Sequence, residues 1–107
     1  MTPIAKNGST IMWGRVTSGE ASYKELPSGK HVSNFSIQYD SLPSDDGKRK
    51  GVYVDCTAWN DLADFAKNLE RGDVVLCAGR MERDSYSSEK KGEDVYRLIC
   101  EFISVMH

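Results

Sequence analysis

Three strand-like stretches, one short helical stretch and two further strand-like stretches follow one another along this chain, and that order leaves few ways to build a core. Residues 10–17, 31–40, 51–59, 73–83 and 94–105 are rich in β-branched and aromatic residues and are bounded by turn formers, which predicts five strands. Between the third and fourth, Leu62, Phe65, Ala66 and Leu69 recur at helical spacing and predict a helix from Asp61 to Leu69 with one buried stripe. Asn60 or Asp61 stands where a helix start is capped, and Gly72 falls just past the predicted end.

A five-stranded, mainly β chain with a helix between strands three and four has the element order of an OB-fold, a small Greek-key barrel. The turns agree. Leu26-Pro27-Ser28-Gly29-Lys30 makes a tight reversal, because proline presets φ and glycine accepts a positive φ. Ser44 to Gly47 opens a longer polar loop, and Glu89 to Asp94 reads as the charged tip of the last hairpin. With 107 residues and no repeat, heptad or linker, the expectation is one domain over residues 1–107, its barrel spanning about 9–105.

Strand parity assigns the faces, since side chains alternate with period two. In the third strand Val52, Val54, Cys56 and Ala58 point inward, so Tyr53, Asp55, Thr57 and Trp59 point outward. Met12, Gly14 and Val16 share one face of the first strand, and Ile11, Trp13 and Arg15 share the other. Gly14 suits a sharply bent barrel strand. Phe35, Ile37 and Tyr39 supply core from the second strand, and Leu98, Cys100 and Phe102 from the last, where Ile99 and Ile103 leave the alternation ambiguous.

Several classes of chemistry find no support. Cys56, Cys77 and Cys100 are far apart in sequence and form no Cys-x-x-Cys pair, and the only histidines are His31 and His107. No metal site or cofactor is therefore expected, and the cysteines read as three buried thiols. No histidine has a nucleophilic partner and no glycine loop cradles phosphate, so the chain does not read as an enzyme and no small-molecule substrate is expected. No apolar run approaches the ~18 residues of a membrane span, and the first ten residues lack a secretory pattern, so no membrane partner and a cytoplasmic location are expected.

Outward aromatics beside cations are what single-stranded nucleic acid requires, because bases stack on ring faces and cations follow phosphates. Tyr53 and Trp59 offer two platforms, and Tyr86, on the arm after the fourth strand, a third. Arg80 and Arg83 lie near that arm, Arg15 beside Trp13, and Lys48, Arg49 and Lys50 rim the long loop. The net charge of −2 offers no global attraction for phosphate, so any such binding rests on local geometry.

Two segments carry a resemblance. Pro27 to Ile37, PSGKHVSNFSI, and Gly51 to Glu82, GVYVDCTAWNDLADFAKNLERGDVVLCAGRME, resemble the bacterial single-stranded DNA-binding protein family over about residues 9–105. The features that match are the aromatic Trp59 ending strand three, Leu62-Ala63 opening the helix, Arg71-Gly72 before strand four, and Gly79-Arg80 within it. The resemblance implies binding of single-stranded DNA with little sequence preference, in replication, recombination or repair, by several OB domains together. It implies stacking at Tyr53, Trp59 and Tyr86 and basic contacts near Arg80 and Arg83. Two departures stand out. Asp55, Asp61, Glu82 and Asp84 occupy parts of the candidate site, some of them at positions often basic in the family, and no acidic tip follows Val105-Met106-His107. The alternative reading is an OB-fold interaction or replication-accessory module with little DNA binding. Ile11 and Trp13 are large for free surface and predict a subunit contact in a homo-dimer or homo-tetramer.

Overall fold

The structure, a computed structural model, describes residues 9–17 and 22–106. Its elements run β1 (Thr10–Val16), β2 (Ser22–Glu25), β3 (His31–Pro43), β4 (Arg49–Trp59), α1 (Asp61–Ala66), β5 (Val74–Arg83), α2 (Ser85–Lys91) and β6 (Tyr96–Met106). Five strands close a barrel. β1 pairs antiparallel with β5, β5 with β6, and β4 with β3, while β6 and β4 run parallel. Arg15↔Gln38 and Val16↔Ile37 join β1 back to β3 and complete the ring. This is the expected OB-fold, with α1 between the third and fourth barrel strands. The secretory-pattern expectation concerns the first ten residues, of which 1–8 lie outside the described residues; among those described, no helix is long and apolar enough to cross a membrane.

The inward parity sets meet largely as read, Val52 being half-buried and outside the core and Phe102 exposed. Met12, Val16, Phe35, Ile37, Val54, Cys56, Ala58, Val75, Cys77 and Leu98 form one buried cluster, with Tyr39 packed against it. Full burial of Ile37 and Leu98 stabilises the barrel by about 1.5–3 kcal/mol each relative to exposure. Gly14 lets β1 bend across β3: a Cβ there would stand 2.8 Å from the Gln38 carbonyl carbon.

Several local expectations need correction. A strand that the sequence did not predict, β2, adds to the first part of β3, from Ser22↔Asn34 to Glu25↔His31. It is short and exposed throughout, so it carries no alternation to detect. The long polar loop shrinks to a turn, because β3 and β4 continue pairing out to Pro43↔Arg49. Helix α1 stops at Ala66, and Gly72 belongs instead to the turn entering β5, where its N–H donates to the Val16 carbonyl. Ala63 takes the buried place expected for Phe65, which is 44% exposed.

A further correction concerns β6. Phe102 is 52% exposed while Ile103 is buried. A bulge between Ala78 and Gly79 sets Ala78 opposite Phe102 but Gly79 opposite Cys100, so Glu101 is unpaired. One extra residue inverts the alternation beyond it. Finally, the segment after β5 is not a plain hairpin tip: residues 85–91 form α2, capped by Asp84 and closed by Gly92 at φ 73.

Candidate nucleic-acid interface

Cross-strand partners share a face, so the register assembles the outer surface row by row. One row runs Asn34, Thr57, Ile99, Arg80 across β3, β4, β6 and β5, and the next runs Ser36, Asp55, Arg97, Glu82. Val32↔Trp59 closes one end. These rows floor a groove of about 550 Å³ lined by Lys24, Leu26, Val32, Asn34, Thr57, Trp59, Arg80, Glu82, Arg97 and Ile99. Lys24, Arg80 and Arg97 bring cations to it, with Glu82 in the lining and Asp55 in the same floor row. A chain of net charge −2 thus gathers three cations beside an indole 40% exposed.

Trp59 is presented by the turn on its C-terminal side. Asn60 reverses the chain with φ 54, a left-handed conformation that asparagine tolerates better than most residues. It stands at the start of α1 yet makes no side-chain cap. Its Oδ1 instead accepts from the His31 N–H at 3.3 Å, and its own N–H donates to the His31 carbonyl at 2.8 Å. These bonds tie the end of β4 to the β2–β3 hairpin that carries Lys24. A second tie runs through side chains: the His31 ring lies 3.0 Å from Asp64 and 3.2 Å from Glu25, and Tyr23 donates to Asp64 at 2.9 Å. The hydrogen bond from Tyr23, followed by His31, lowers the Asp64 pKa against the opposing effect of desolvation.

The other residues singled out in the sequence lie apart from this groove. Tyr53 is exposed on the same face of β4, its ring folded back over Gly51. Tyr86 is 75% exposed on α2, where it lines a separate hollow with Glu89 and Lys90. Arg83 has the opposite parity to Arg80, and its Nε donates to Asp94 at 3.0 Å. Arg15 lines a third hollow with Gln38, Asp40 and Ser41. Lys48, Arg49 and Lys50 are exposed at the β3–β4 tip, where Arg49 donates to the Ser41 carbonyl at 2.7 Å. Arg80 is in the groove, with Glu82 at 3.4 Å and Glu101 at 4.0 Å.

Among the groove residues not predicted from the sequence are Lys24, Asn34 and Arg97. Lys24 sits on the strand that was not foreseen. Asn34 and Arg97 were legible by parity once the strands were paired. Arg97 is held near Asp84, 3.8 Å from its carboxylate, and its buried Nε has no hydrogen-bond partner.

Asp84 therefore serves two neighbours. Its side chain accepts from the Ser87 N–H at 3.1 Å at the start of α2 while it faces Arg97. The Ser87 N–H, then the Ser87 hydroxyl and Arg97, hold its carboxyl below the usual range despite some desolvation. Its folded-state pKa thus lies below the unfolded one. Its support for α2 is complete above the unfolded value of about 3.9 and is lost as pH falls through the lowered folded value. Asp84→Ala should fray residues 85–91 at neutral pH, with faster amide exchange there than in β4 or β6. Equal exchange in variant and native chain would refute the capping role.

The fold has solved counterparts. The wild-type single-stranded DNA binding protein from Thermus aquaticus superposes with a TM-score of 0.71 at 19% identity, covering 98% of this chain and 44% of that one. The protein PriB from Ralstonia solanacearum superposes with a TM-score of 0.68 at 12% identity, covering 92% and 97%. At these identities the likeness establishes the OB-fold alone. Among curated sequences, a single-stranded DNA-binding protein of Deinococcus radiodurans is 32% identical over 82 residues, covering 74% of this chain and 27% of its own length. That of Fusobacterium nucleatum is 29% identical over 97 residues, covering 87% and 62%. The chain thus spans less than two thirds of the length of these relatives. The family model described as the single-strand binding protein family matches residues 8–106, nearly the whole chain, and the chain belongs to that family.

Proposed function

We propose that this chain binds single-stranded DNA in a sequence-tolerant way, through the groove between the β2–β3 hairpin and β5. The observation that carries the reading is the exposed Trp59 indole beside Lys24, Arg80 and Arg97 on the outer barrel face. A base stacks on Trp59 while the cations follow the adjoining phosphates. Tyr53 and Tyr86 extend the stacking path, and Arg15, Arg83 and Lys48 to Lys50 act as outlying phosphate contacts. The family and the names of its relatives support single-stranded DNA as the ligand, and a role in replication, recombination or repair is proposed with it. Titration with oligo-dT tests it: a Trp13→Phe chain, in which Trp59 is the only indole, should lose fluorescence on binding. No binding at low salt would leave the protein-interaction reading in its place.

Few net cations mean few phosphates neutralised, so the salt dependence should be shallow. For single strands each contact contributes a slope of about 0.7. Arg80→Ala should flatten the slope by about that amount, measured as log K against log salt concentration. An unchanged slope would take Arg80 out of the interface.

Assembly belongs to the same reading. Ile11, Ala78 and Phe102 form one outward row over β1, β5 and β6, with Trp13 opposite Leu76 in the next. Trp13 and Phe102 are each about half exposed, and Met106 extends the patch. A contiguous apolar face of this kind marks an interaction site, and a homo-dimer or homo-tetramer covers it. The double change Trp13→Lys and Phe102→Lys should shift the sedimenting species to monomer at micromolar concentration. A native chain already monomeric there would overturn the assembly.

A further inference from the structure

Inside the barrel is a constellation that DNA binding does not use. Cys56 on β4, Cys77 on β5 and Cys100 on β6 converge, and their Sγ atoms all lie within 4.8 Å of one another. All are free thiols and all are buried, Cys56 and Cys77 completely. Met12 stands across from Cys77 and Leu98 across from Cys56, within the same apolar cluster. Among the described residues no histidine or carboxylate joins the three. The sequence foretold their burial, and only the closure of the barrel brings them together.

We propose that this triad is a binding site for a three-coordinate, thiophilic trivalent metalloid, with arsenic(III) as its representative. The donors are soft sulfur only, which selects thiophilic centres over hard cations. They number three, whereas structural zinc sites are almost always four-coordinate. Charge decides among the remaining candidates. Three thiolates around a divalent zinc ion leave one net negative charge, and around a monovalent copper ion two. An uncompensated charge in an apolar core is strongly disfavoured. Around trivalent arsenic the complex is neutral.

The exchange balances without an oxidant. Arsenous acid, As(OH)3, and three cysteine thiols give a tris-thiolate arsenic centre and three waters. Three As–O and three S–H bonds break, three As–S and three O–H bonds form, and no electron changes hands. With sulfur bonds of about 2.3 Å, as for zinc, a centre made pyramidal by its lone pair would set the three sulfurs about 3.3–3.5 Å apart. Small side-chain rotations within the present spacing reach that. Hydrogen bonding with Cys100 and Cys77, reinforced by burial, raises the Cys56 pKa far above its ordinary range. The S–H groups of Cys100 and Cys56 lower the Cys77 pKa against the opposing effect of burial. Entry requires local opening of the barrel, so loading should be slow in the native state and fast during refolding.

The experiment incubates the full chain with sodium arsenite and a phosphine reductant, both natively and during refolding from urea, with desalting and native mass spectrometry afterwards. The expected product carries one arsenic per chain with three hydrogens lost. Free thiols counted after a denaturing quench should fall from three to none, a readout that needs no variant. Cys100→Ala, at the least buried of the three positions, should lose the three-sulfur adduct. Zinc chloride at the same concentration should not survive desalting. No adduct by either route overturns the proposal, as does an adduct that leaves a thiol free. Zinc retained as firmly as arsenic overturns the charge argument on which it rests.

Discussion

Gly79→Ala should shift unfolding to denaturant concentrations at which the native barrel is intact. A Cβ at this position would stand 2.8 Å from the Ile99 carbonyl carbon and 3.0 Å from the Cys100 Cα, with the Ile99 oxygen nearer still. All three atoms are β6 backbone at the bulge, and none can rotate away. Overpacking costs about 1–3 kcal/mol where side chains can yield. A backbone clash belongs at the upper end or beyond, so a loss of about 3 kcal/mol or more is expected, against about 5–15 kcal/mol for a typical domain. With urea m-values of about 1–3 kcal/mol/M, the midpoint should fall by about 1 M or more. Gly72→Ala is the control. Its φ of 98 is unfavourable for alanine, but nothing lies within 4 Å of the added carbon. Its loss should stay near the roughly 1–2 kcal/mol of a left-handed residue. Urea melts monitored by circular dichroism separate the two, and equal losses would show that strand approach is not what requires glycine at 79.

Trp59→Ala should weaken oligo-dT binding by about 1–3 kcal/mol, the range for losing one base–aromatic stack. That is about fivefold to about 150-fold in Kd. The indole is partly exposed and outside the buried cluster, so the loss should appear in affinity with little change in the urea midpoint. Trp59→Phe keeps a smaller ring and should fall between the two. Because the change removes the fluorescent reporter, anisotropy of a labelled oligonucleotide is the appropriate measurement. If Trp59→Ala binds like the native chain while Arg80→Ala abolishes binding, phosphate contacts rather than stacking hold the strand.

What the sequence determined is the set of properties written in local periodicity. Alternation in residues 52–59 placed Val54, Cys56 and Ala58 inside and Tyr53 and Trp59 outside, because the pleat permits only two faces. The strand–helix order implied the OB barrel, since a helix between strands three and four leaves few ways to close the sheet. Tertiary structure decided whatever depends on how strands meet. The bulge opposite Glu101 reversed the faces of Phe102 and Ile103, although the local sequence favours neither register. The short, exposed β2 exists only because β3 offers it an edge. Arg97 enters the groove and Arg83 leaves it through pairings between distant residues, Asp55↔Arg97 and Arg83↔Tyr96. The three cysteines, 21 and 23 residues apart in turn, become neighbours only when β4, β5 and β6 close on one core. Periodicity fixes the face on which a side chain stands, but its neighbours on that face are set by register, and register is a property of pairs of strands.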